Sequence, residues 1–184
     1  MKYIIENLLK RYEGLKDIKT HNEPGYYDDE EIILRVWNEI GFLSNIDDDK
    51  KLNLALSYHS VYRCGEDLEN FSLINIIIPI IRYIYTNLET YTILDGRDII
   101  NKLRNLNLKD LLEFANNHSR YEKDKVIISD IYKKGEENNM LDSTLDIIDY
   151  DILYDLNDKH DIDITAIMTS FMAEYLTNEY KNNK

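Results

Sequence analysis

The chain has 184 residues, 43% of them hydrophobic, with a formal net charge of -13. That is enough apolar material for one domain with a real core, and an acid excess that disfavours direct contact with nucleic acid. Only 6 Gly and 2 Pro punctuate it, too few for a β-sandwich with many tight turns, so the composition points to an all-α fold.

The single cysteine, Cys64, excludes an intramolecular disulfide and suits a reducing compartment. At the start, Lys2 and Glu6 interrupt any secretory apolar core, so no signal peptide is expected. The longest apolar run, Leu73 to Ile84, is broken by Asn75, Pro79 and Arg82 and is too short to span a bilayer. These features read as a soluble cytoplasmic protein. Ile, Asn, Asp, Lys and Tyr are frequent, whereas alanine occurs only at 55, 115, 166 and 173. Such usage fits an A/T-rich genome, as in phages, other viruses and low-GC bacteria.

Taken in chain order, Ile4, Ile5, Leu8, Tyr12, Leu15 and Ile18 recur at three- and four-residue spacing and predict a first helix over about 2–19. Pro24-Gly25 marks a turn, and 20–27 is the one candidate hinge. Asp28 or Asp29 can cap a second helix with Ile33, Val36, Trp37 and Ile40 inward, ended by Gly41. A third helix, with Leu52, Ala55, Leu56, Tyr58 and Val61, runs up to Gly65.

The stretch Phe71–Leu88 is apolar almost all round and predicts a buried central helix. Its isoleucines also suit a strand, but Pro79 cannot donate to a ladder, so a helix that kinks or restarts at Pro79 is preferred. Short helices follow around Ile99, Ile100 and Leu103, then around Leu108, Leu111, Leu112 and Ala115. A further helix through Val126, Ile127, Ile131 and Tyr132 should end at Gly135, behind Lys133 and Lys134. Ser143 with Asp146 resembles a capping arrangement for a helix to about Asn157, with Leu145, Ile148, Ile152 and Leu156 inward. The last helix is the clearest: Ile164, Ile167, Met168, Phe171, Met172, Tyr175 and Leu176 form one apolar face. The expected architecture is a single all-α domain, 1–184, of seven or eight helices around the Pro-interrupted central one, with the last helix packed against it.

Motifs that carry chemistry are scarce. The six glycines are isolated, so no phosphate-cradling loop forms, and one cysteine with four scattered histidines cannot build a zinc site. Helical phosphohydrolases use an adjacent His-Asp pair, and His160-Asp161 has that form. Only 23 residues follow Asp161, however, and they read as a helix start. The same stretch offers oxygens at Asp155, Asn157 and Asp161 in calcium-loop positions. Lys159 then occupies a ligand position, His160 replaces the glycine and Ala166 the bidentate glutamate. Ser57, His59 and Ser60 share a helix, but neighbours two apart do not face each other. No catalytic residue, metal ligand or cofactor is assigned.

What does stand out is where the acid sits. Residues 28–49 hold eight acidic side chains against Arg35 alone, and 142–163 hold eight aspartates against Lys159 alone, each a net -7. On the helix expected from Ser143, Asp151, Asp155 and Asp158 align on one face, repeating every ~5–6 Å at ~1.5 Å rise per residue. That interval is of the order of phosphates along a nucleic-acid strand. A solvated helix face with capping acids accounts for the same pattern. Tyr26, Tyr27, Tyr83, Tyr85, Tyr91, Tyr150 and Tyr154 add amphipathic rings, too many for all to be core, that suit a protein-binding surface.

The leading expectation is a non-enzymatic acidic interaction protein, an inhibitor or decoy of the kind mobile elements carry. It would dock through Asp151, Asp155, Asp158, Asp28, Asp29, Glu30 and Glu31 on a basic, nucleic-acid-handling protein partner. It would bind neither nucleic acid nor membrane directly, and the sequence leaves its oligomeric state open. The alternative is a structural or assembly protein of a viral particle; the third is an enzyme whose site one sequence does not display.

Overall fold

The computed structural model describes residues 53–54, 57, 73–87, 94–145 and 147–182. The expected first two helices, the hinge at 20–27 and Asp28, Asp29, Glu30 and Glu31 lie outside the described residues. Of the third helix, Asn53, Leu54 and Ser57 are described, and all three are helical.

The described fold is helical. Its elements are α1 (Leu73–Asn87), α2 (Gly96–Arg104), α3 (Leu108–His118), α4 (Glu122–Glu137), a 3₁₀ turn (Tyr150–Leu153), α5 (Asp155–His160) and α6 (Ile164–Asn182). Among the described residues there is no strand, only an isolated antiparallel bridge between Asn107 and Thr144.

Ile77, Ile80, Ile81, Ile84 and Tyr85 are fully buried on α1, at the spacing of one helical face. The helix runs unbroken through Pro79, which faces solvent. The missing N–H therefore orphans only the Asn75 carbonyl, and the pyrrolidine ring sits where no core contact is lost. α1 packs chiefly along α6, whose Ile164, Met168, Phe171, Met172 and Leu176 are buried. On its other sides α6 meets α3 and α2, and α3 packs on α4. The central helix and the last one thus form the spine of the core, and burial of their apolar side chains is its main stabilising term.

Caps explain the boundaries. Asp95 accepts from Arg97 N at 2.8 Å to start α2, and Asn107 Oδ1 accepts from Asp110 N at 2.8 Å to start α3. α4 does not stop at Gly135 as its sequence predicts; it continues to Glu137. The left-handed residue is Asn139, with φ 55°, and the Met140 amide closes the end on the Gly135 carbonyl at 2.7 Å. Gly135 is instead a close-approach position. A Cβ there would stand 2.8 Å from Leu141 Cδ2 and 3.1 Å from Leu108 Cδ2.

Among the described residues, the first half of the helix expected from Ser143 to Asn157 is not helical; Asp146, its expected capping partner, lies outside them. Residues 141–145 form a strap whose carbonyls serve the orphan donors at the start of α3. Leu108 N donates to Ser143 O at 3.1 Å and Lys109 N to Leu141 O at 2.9 Å, while Leu145 N returns to Leu106 O at 3.2 Å. A backbone committed to another segment cannot also close its own i→i+4 bonds. Leu145, Ile148, Leu153 and Leu156 still reach the core, so the apolar pattern is real although its period there is not that of one helix.

Candidate acidic surface

The 3₁₀ turn passes through Tyr154, in right-handed helical conformation, directly into α5. Asp151, Asp155 and Asp158 therefore lie on one helical stretch, but in two elements of different period, so their register is not that of the single expected helix. All seven described aspartates between 142 and 163 (Asp142, Asp149, Asp151, Asp155, Asp158, Asp161 and Asp163) are exposed.

Several are occupied locally. Asp149 Oδ1 accepts from Asp151 N at 3.1 Å and caps the 3₁₀ turn. Asp163 Oδ1 accepts from Thr165 N at 2.9 Å and Ala166 N at 3.2 Å, capping α6. Asn157 Oδ1 accepts from Ile164 N at 2.9 Å, which spends one of the oxygens a calcium loop would need. Asp161 is the left-handed residue ending α5, with φ 52° and ψ 55°. Asp155 pairs with Lys134 of α4, and this carboxylate raises the Lys134 ammonium above its usual range. Asp151 and Asp158 carry no ion pair among the described residues, and they are the two members of the predicted trio left facing water unpaired.

Beneath this surface lies a junction that the sequence does not reveal. Asp130 of α4 is largely buried, its side chain 12% exposed, and its Oδ2 receives both Lys159 Nζ at 2.7 Å and His160 Nε2 at 2.8 Å. Lys133 approaches Oδ1 at 3.9 Å. The Lys159 hydrogen bond, with help from His160 and against the cost of burial, holds the Asp130 carboxyl below the usual carboxylate value. Two oppositely directed contacts, the Lys134–Asp155 ion pair and the Lys159 ion pair with the His160 hydrogen bond to Asp130, thus clamp α5 on α4. His160 serves this clamp, and Asp161 turns away into the helix end. No group of three or more His, Cys, Asp or Glu side chains positioned to hold a metal occurs among the described residues.

The tyrosines divide. Tyr85 is fully buried, its hydroxyl 3.1 Å from that of Ser57, which donates to Asn53 O and accepts from Leu94 N, each at 2.8 Å. Ser57 is therefore a core hydrogen-bond hub. Tyr150 is half-buried, and Tyr154 and Ile147 stand 48% and 69% exposed along the acidic segment. At the far end, the Tyr180 hydroxyl donates to Asp98 at 2.8 Å; burial and this carboxylate push its pKa well above the ordinary phenol value. Lys102, 4.0 Å from Asp98, lies over the Tyr180 ring, so this corner joins α6 to α2.

No described helix is long and apolar enough to cross a membrane. In comparison with known proteins, the chain matches no family model, no curated protein and no solved structure.

Proposed function

We propose that this chain is a non-enzymatic acidic interaction protein that docks a basic protein partner through the surface carrying Asp151, Asp155 and Asp158. One observation carries the reading: every described aspartate of 142–163 is exposed, on a segment fixed to α4 by the Asp130 and Lys134 contacts. A carboxylate ridge held on a rigid body needs little reordering on binding, and its field draws a cationic surface toward it. Exposed Ile147 and Tyr154 beside the acids supply the apolar contact that a purely electrostatic encounter lacks. A groove built for DNA or RNA in a nucleic-acid-handling protein is the partner whose chemistry fits best, with the chain acting as an inhibitor or decoy of a phage or viral system.

Those same two apolar side chains favour the second reading, an assembly protein of a viral particle joined by apolar burial. Salt separates the two. Partner retention from host extract should fall steeply with ionic strength for the docking protein, and little for the assembly protein. Reversing Asp151, Asp155 and Asp158 to lysine should abolish retention, whereas the same charge change at exposed Glu113, Glu136 and Glu137 should not. A partner still held at low salt by the first variant would sink the docking reading.

A further inference from the structure

We draw no further inference here: the strongest candidate, the exposed apolar pair Ile147 and Tyr154 set among the aspartates of the 142–163 segment, belongs to the surface already described, and nothing in the structure shows what covers it.

Discussion

His160 Nε2 lies 2.8 Å from Asp130 Oδ2, and the neighbouring Lys159 ammonium reaches the same oxygen at 2.7 Å. Two consecutive residues of α5 thus converge on one carboxylate of α4. Their partner is 30 positions away from His160 in the chain, which is why no local pattern announces it.

This junction sets a pH dependence. The Asp130 carboxyl is held below its unfolded value, so its stabilising contribution is present above that value, about pH 4, and is lost as pH falls through the lower folded value. Asp130→Asn should therefore be less stable than wild type near neutrality, with the gap closing below about pH 4. Urea midpoints across that range measure it; a gap that stays constant in acid would contradict the assignment.

The start of α6 rests on Asp163. Asp163→Ala removes the acceptor for Thr165 N and Ala166 N and should cost about 1 kcal/mol. Asp163→Asn, which keeps an acceptor oxygen, should recover most of it. Thermal unfolding of the two variants side by side is sufficient, and equal losses would assign the effect to charge instead of capping.

At Gly135 the constraint is space. Valine there must displace Leu141 and Leu108, and overpacking of this kind costs about 1–3 kcal/mol. Shortening the obstructing side chain by Leu141→Ala should reduce the penalty of Gly135→Val, giving a favourable coupling in a double-mutant cycle. Additive losses would place the strain elsewhere.

Ser57→Ala removes the hydroxyl shared by Tyr85, Leu94 and Asn53. With buried partners losing a bond, a loss of about 1–2 kcal/mol is expected, and Ser57→Thr should not restore it because the added methyl enters a fully buried position. Denaturant unfolding of both variants tests this.

Within the proposed docking surface the three aspartates should not be equivalent. Asp155 already holds Lys134, whereas Asp151 and Asp158 face water. Neutralising Asp151 and Asp158 together should weaken retention of the basic partner, and lower its salt sensitivity, more than Asp155→Asn does. Asp155→Asn should instead loosen α5, seen as faster amide exchange over 155–160. The reverse ranking would mean that Asp155 is the principal contact.

Legibility in the sequence followed the range of the interaction. The buried face of α6 was readable because its 3.6-residue periodicity is set by the element itself, whereas α1 is apolar almost all round in sequence and its solvent-facing side at Pro79 was not. The strap at 141–145 was not, since its apolar pattern resembles a helix while its backbone bonds go to Leu106, Leu108 and Lys109. Gly135 misled for a related reason: glycine signals both chain reversal and tight approach, and only the position of Leu141 distinguishes them. Of the candidate surface, the exposure of Asp151 and Asp158 was foreseeable from charge density. The engagement of Asp155 by Lys134 was not, because it depends on how α4 lies against α5.

The bonds that join Leu108 and Lys109 to Ser143 and Leu141 have a kinetic consequence. Detaching that strap leaves the Leu108 and Lys109 amides without their acceptors, while the Asn107 cap on Asp110 stays in place, so the strap and these two amides open together. The amides of Leu108, Lys109 and Leu145 should consequently share one protection factor, as a single cooperative unit stitched from parts of the chain more than 30 residues apart.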